Sequence, residues 1–201
     1  MERIPTILKS LPSTTYNSMG DYRQALAFHK KSLNMLKAVY AEGTNHADIA
    51  NSYGNTGSVY HCLGDYRQEL EYQQKVLDMR KALYGKDTYN TDIATSYSNI
   101  GIVYHSLDDY RQALEYHKKA LESQKAVYRE NTNHTENASS YSNIGSVYYS
   151  LGDYIQALEY HKKALDMLKA VYGKDTNHTD IATSCNNIGS VYNSLGDYRQ
   201  A

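Results

Sequence analysis

Tryptophan is absent from the 201 residues, phenylalanine occurs once, and the two prolines, Pro5 and Pro12, both lie near the N-terminus. After residue 12 no pyrrolidine ring remains to break a helix. Cysteine is almost as scarce. Cys62 and Cys185 stand far apart and read as free thiols of a reducing compartment, which excludes a disulfide framework. Neither charge is in excess, with 21 basic and 22 acidic residues and a formal charge of −1. No net field therefore draws the chain to nucleic acid or to acidic lipid. No apolar stretch would span a bilayer, and residues 1–13 lack the apolar run of a signal peptide. These absences lead us to expect a cytoplasmic protein with no nucleic-acid and no membrane partner. Three glycosylation sequons, at Asn133, Asn137 and Asn177, read as coincidence in a chain so rich in Asn, Ser and Thr.

Tyrosine, by contrast, is abundant, with 22 residues, and it is periodic. The pair Asp-Tyr recurs at Asp21-Tyr22, Asp65-Tyr66, Asp109-Tyr110, Asp153-Tyr154 and Asp197-Tyr198, each 44 residues after the last. Gly20, Gly64, Gly152 and Gly196 precede it, and Asp108 is the exception. An unvarying period in five copies is the signature of a stacked array.

Each unit reads as two helices. In the first, Ile93, Tyr97, Ile100, Tyr104 and Leu107 make one apolar stripe at helical spacing, with Thr91 as the expected cap and Asp92 at the positive end of the dipole. Gly101 sits inside this helix and recurs as Gly57, Gly145 and Gly189, which predicts a close approach of backbones there. The second helix runs unbroken from Asp153 to Tyr172, about 30 Å long, and Gly173 stands as its stop. Its charged residues, Glu159, Lys162, Lys163, Asp166 and Lys169, form a solvated face.

The pattern Tyr97-x2-Ile100-Gly101-x2-Tyr104, followed by Ala113-x3-His117 and Ala120, resembles the tetratricopeptide repeat, and the resemblance covers about Leu11 to Ala201. It departs from the family in lacking the proline that ends helix B and in its 44-residue period, where about 34 is typical. The longer second helix and the Asn-His-Thr-Asp linker are similar to kinesin light chain and nephrocystin-type repeats. There the linker often reads His-Pro-Asp, whereas Thr135 and Thr179 replace the proline here. The resemblance implies an all-α, right-handed superhelical solenoid of helix-turn-helix units, one array over 1–201. Its units are a partial first repeat (1–46), repeats at 47–90, 91–134 and 135–178, and a truncated fifth (179–201).

No nucleophile–base pair or metal set stands out, so no catalytic residue, metal or cofactor is expected and the chain reads as non-enzymatic. His29, His117 and His161 recur on helix B and read as packed, neutral rings with lowered pKa. His46, His134 and His178 recur in the linker, and His61 and His105 late in helix A, each class spaced by whole repeats and too far apart for one tetrahedral ion. Cys185 stands where Tyr53, Tyr97 and Tyr141 stand elsewhere, and reads as a small core substitute.

Asparagine forms the most informative column. Asn55, Asn99, Asn143 and Asn187 each sit two residues before the helix A glycine. The resemblance implies that helix A lines a concave groove and that such an Asn grips the backbone of an extended peptide. An amide offers donor and acceptor together, which suits a peptide unit whatever its side chain. The alternative is that each Asn bonds a neighbouring helix. The same face carries Ser98, Ile102, His105 and Ser106, then Ser142, Ser146, Tyr149 and Ser150, then Asn186, Ser190, Asn193 and Ser194, with no Lys or Arg. A groove of amides and hydroxyls fits a mostly neutral peptide of a protein partner. The rival reading is a self-associating array. Pro12 shortens the first helix A and Ala201 falls one turn into a helix B, so uncapped ends would pair with another copy.

Overall fold

The computed structural model describes residues 21–41, 43–85, 88–128, 134–174 and 176–196. Expectations for the shortened first helix A and for the final helix B lie outside the described residues. Within them the chain is all-α, with eight helices: α1 Tyr22–Tyr40, α2 Ala47–Cys62, α3 Tyr66–Tyr84, α4 Thr91–Ser106, α5 Tyr110–Tyr128, α6 Thr135–Ser150, α7 Tyr154–Tyr172 and α8 Thr179–Leu195. The even-numbered ones are the short A helices, and the odd-numbered ones the 19-residue B helices.

The recurrent aspartate of the turn is an N-cap. Asp21, Asp65, Asp109 and Asp153 each accept a hydrogen bond through Oδ1 from the backbone N–H three residues on, at 3.1 Å. The residue before the cap must adopt a left-handed conformation, with φ of 72° at Gly64 and 77° at Gly152. Asp108 takes the same conformation at φ 59° without glycine's freedom, and its carboxylate accepts from Tyr110 Oη at 2.8 Å.

The A helices are capped differently from expectation. Thr91 is the first helical residue, and Asn90 is the cap, its Oδ1 accepting from Asp92 N at 2.7 Å. His46 and His178 do the same through Nδ1, from Asp48 N at 3.1 Å and Asp180 N at 3.2 Å. A ring nitrogen accepts only when it carries no proton. Each linker imidazole also stacks on the last tyrosine of the preceding B helix: Tyr40 on His46 (3.6 Å), Tyr128 on His134 (3.8 Å) and Tyr172 on His178 (3.6 Å). The hydroxyls of Tyr40 and Tyr172 then donate to Asp48 and Asp180, at 2.8 and 3.0 Å. An A helix start is thereby tied to a B helix end within a span of eight residues.

The chain divides into two units, residues 1–83 and 84–201. In the first, Ala25 and Leu33 of α1, Ile49, Ala50 and Val59 of α2, and Val76 and Leu77 of α3 are buried. In the second, α4 packs on α5 and α6 on α7 as repeat pairs, and α5 packs on α6 and α7 on α8 between repeats. Ile100, Val103 and Ile144 are fully buried, and each large apolar side chain so placed contributes about 1.5–3 kcal/mol. Ala113 and Ala157 of the B helices are also fully buried.

The helix A glycines make room for side chains, which corrects the expected backbone contact. A Cβ on Gly101 would lie 2.7 Å from Cε1 and Nδ1 of His117, and one on Gly145 would lie 2.9 Å from the same atoms of His161. At Gly57 the neighbours are Tyr72 Cβ at 3.3 Å and Gln73 Nε2 at 3.4 Å. At Gly189 nothing lies within 4 Å among the described residues.

Candidate peptide groove

In the second unit the A helices α4, α6 and α8 lie side by side, joined by side-chain hydrogen bonds between equivalent faces. Asn143 Nδ2 donates to Ser98 Oγ and Asn187 Nδ2 to Ser142 Oγ, both at 3.3 Å. His105 Nε2 and Ser150 Oγ are 2.8 Å apart, and Tyr149 Oη and Ser194 Oγ 2.9 Å. The bond to a neighbouring helix, the alternative for the asparagine column, is thus present at Asn143 and Asn187. It uses only the amide NH₂. Their Oδ1 atoms accept no hydrogen bond among the described residues. Each half-buried amide therefore keeps one acceptor on the A helix face.

Ser98, Asn99, His105, Ser142 and Ser146 are also half-buried here, while Ile102 and Tyr149 are 41 and 38 % exposed. Ser146 donates to Ser142 O at 3.1 Å and Ser106 to Ile102 O at 3.1 Å, so these hydroxyls spend their protons on their own helix. Asn55 belongs to the first unit, where it is exposed on α2. The cations sit over B helix and tyrosine rings instead: Lys119 Nζ is 5.0 Å from the Tyr116 centroid, and Lys163 Nζ 5.1 Å from that of Tyr160.

Burial is the largest cause of the shift at the helix B histidines. His117 is 1 % exposed, its pKa is pushed down to about 4 by burial with the nearby His105 adding to the effect, and its Nδ1 has no hydrogen-bond partner among the described residues. His161 is lowered by burial too, and its Nδ1 is also unpartnered. Both rings fill space above a glycine, as packing residues. Glu69 stands where Ala113 and Ala157 stand elsewhere. Burial raises its pKa against the opposing hydrogen bond from His61 at 2.8 Å. Among the described residues no group of three His, Cys, Asp or Glu side chains could hold a metal ion.

Two expectations need correction or addition. Cys185 is exposed, not a core substitute. Tyr97 and Tyr141 pack against Tyr116 and Tyr160 of the following B helix, and α8 is followed by no described helix. The structure also shows a cleft absent from the sequence reading, about 180 Å³ in volume, lined by Ala138, Ser139, Ser142, Asn143, Leu168, Asp180, Thr183 and Ser184. Its trace in the sequence is Leu168, in the column where Gln124 stands one repeat earlier.

The sequence pattern of the family described as tetratricopeptide repeat matches residues 13–82 and 136–201, and a second pattern of that description matches residues 94–124. Among solved structures, BtubC (BKLC) from P. vanneervenii is similar at 23 % identity and a TM-score of 0.77, over 94 % of this chain and 72 % of that one. A putative kinesin light chain with nearly identical TPR-like repeats from Podosopora anserina is similar at 15 % identity and a TM-score of 0.76, over 99 and 92 %. A Rap protein complexed with competence and sporulation factor is similar at 19 % identity and a TM-score of 0.71, over 94 % of this chain and 48 % of that one. At these identities the likeness is one of fold. No curated protein matches the chain.

Proposed function

The chain belongs to the tetratricopeptide-repeat family, and from that membership we propose that it is a non-enzymatic scaffold that holds an extended peptide segment of a partner protein along its A helix face. The observation that carries this reading is the asparagine column. Asn143 and Asn187 are fixed by their NH₂ groups and present a free Oδ1, a rigid acceptor for a peptide N–H. The hydroxyl-lined face without Lys or Arg favours a neutral backbone over a carboxylate terminus. A Rap protein of the same fold was solved in complex with competence and sporulation factor, which agrees with a ligand-holding use of such a fold. We place the chain in the cytoplasm, in keeping with its two free thiols.

The test is the double change Asn99→Ala and Asn143→Ala in the full chain, with peptides first selected from a displayed random library. We expect the selected peptides to lose about 1–3 kcal/mol of binding, measured by titration calorimetry, with the fold retained. Unchanged binding, together with loss on reversing the charge of Lys118 and Lys162, would move the site to the B helices and overturn the assignment.

Self-association is the second reading, and one observation favours it. Ala182, Cys185 and Leu195 of α8 are exposed, whereas Ala94 and Ala138 at the place of Ala182 are 1 % exposed. A contact of that face with another copy would be heterologous and would propagate. Apparent mass by light scattering is then expected to rise with concentration. A constant monomer mass over a wide range sinks this second reading.

A further inference from the structure

The cleft between α6 and α8 differs from its counterpart one repeat earlier at four lining positions, Thr95 to Ser139, Gln124 to Leu168, Glu136 to Asp180 and Ser139 to Thr183, and only Gln124 to Leu168 exchanges a polar side chain for an apolar one. There Gln124 is buried and its Oε1 accepts from Ser140 Oγ at 2.7 Å, filling the space and satisfying the hydroxyl. One repeat on, Leu168 replaces Gln124 and Ser184 replaces Ser140. Leucine is shorter and offers no acceptor. Ser184, 4 % exposed as a residue, consequently has no hydrogen-bond partner for its hydroxyl among the described residues, and it lines the cleft. That hydroxyl is left to bond whatever enters the cleft.

The rest of the lining is rich in acceptors. Ser139 Oγ and Thr183 Oγ1 donate to the carbonyls of Thr135 and Thr179, at 3.0 and 2.9 Å, so their lone pairs remain. Ser142 Oγ receives the Asn187 amide, and Asn143 Oδ1 is free. The Asp180 carboxylate, half exposed, closes one side, taking the Tyr172 hydroxyl at 3.0 Å, with His178 Nδ1 3.5 Å away. Leu168 and Ala138 are the apolar residues of the lining, which includes no Lys, Arg or His. An apolar surface, several oxygen acceptors and a carboxylate match a methylene chain ending in a primary ammonium, which has three donors and no acceptor.

We propose that this cleft is a subsite for a lysine side chain of the peptide. The assignment rests on the groove reading above, and it names the side chain that reading leaves open. The lysine methylenes lie along Leu168 and Ala138, and the ammonium bonds Asp180 and the surrounding hydroxyls.

The full chain, isotopically labelled, is titrated with Nα-acetyl-lysine methylamide, with the norleucine analogue that has the same chain length without the charge, and with butylammonium. The lysine compound is expected to shift the amide signals of Ser142, Asn143, Thr183 and Ser184, norleucine to leave them in place, and butylammonium to bind more weakly because it lacks backbone amides. Asp180→Asn is expected to weaken the lysine compound about fivefold. Leu168→Gln, which installs the side chain found one repeat earlier, is expected to close the cleft and abolish the response, with an unchanged circular dichroism spectrum showing that the fold is kept. Equal responses to lysine and norleucine, equal responses to lysine and butylammonium, or an undiminished response in folded Leu168→Gln each overturn the proposal. The displayed library separates the two readings. Selected peptides with no excess of lysine overturn the subsite and leave the groove standing. A library that yields no binder overturns the groove, while the single-residue titration still decides the cleft.

Discussion

Gly101→Ala is expected to lower the unfolding free energy by about 2–3 kcal/mol, although alanine is the better helix former by about 1 kcal/mol. The added methyl would stand 2.7 Å from two atoms of the His117 ring, closer than any relaxed contact. The ring has no easy escape, being 1 % exposed, with Ala113 and Ala120 one turn away on the same helix also fully buried. Gly145→Ala meets His161 at 2.9 Å and is expected to cost somewhat less. Gly189→Ala, with nothing within 4 Å, is expected to be neutral or to stabilise by up to about 1 kcal/mol. Urea unfolding of the three variants checks the ranking. A double change with His117→Ala checks the cause, because once the ring is gone the alanine at 101 should cost little. Equal midpoints for the Gly101 and Gly189 variants would refute the packing account.

Stability should also fall steeply in mild acid. The imidazole of His117 titrates at about 4 in the folded chain and near 6.5 when unfolded. Its folded pKa is the lower one, so below pH 6.5 the unfolded chain binds more protons and acid favours unfolding. The stability is complete above about pH 6.5 and is lost as pH falls toward 4. Between pH 7.5 and 5.0 the loss from this one group is about 2 kcal/mol. His161 and His29 are lowered by burial and add to it in the same direction. Glu69 acts oppositely, because burial raises its pKa and it prefers its proton in the folded chain. His117→Gln is the informative variant, since Gln73 already occupies that column in the first unit, buried at 4 % exposure. Urea midpoints at pH 7.5 and 5.0 should differ clearly for the parent chain and less for His117→Gln. The same drop in both chains would mean that the ring carries no acid sensitivity.

The repeat was legible in the sequence because its causes are local and recur in phase. The aspartate cap, the glycine before it and the 3.6-residue apolar stripe each act within one helix or turn. Burial of His117 and His161 was legible too, from alanines one turn on either side. Other features depended on partners that sequence spacing does not name. Thr91 looked like the cap, but the side chain of Asn90 takes that place, its Oδ1 accepting from Asp92 N. The helix A glycine marked a close approach without revealing that an imidazole from the next helix makes it. Cys185 inherited a half-buried column but not the tyrosine of a following B helix, so its burial did not follow. The asparagine column was visible as a pattern. Its division into a bound NH₂ and a free carbonyl needed the serine 45 residues away.

The linker in which a tyrosine stacks on a histidine and reaches an aspartate eight residues on has a consequence for how the chain acquires its fold. A loop of that size closes at small entropic cost, long before any distant segment must be found. The side-chain hydrogen bonds between neighbouring A helices span 45 residues and need only the adjacent repeat. Contact order is correspondingly low, a regime in which helical proteins fold in microseconds to milliseconds. Order can start at whichever repeat first closes its turn and then spread to its neighbours, so no single segment is the obligatory nucleus.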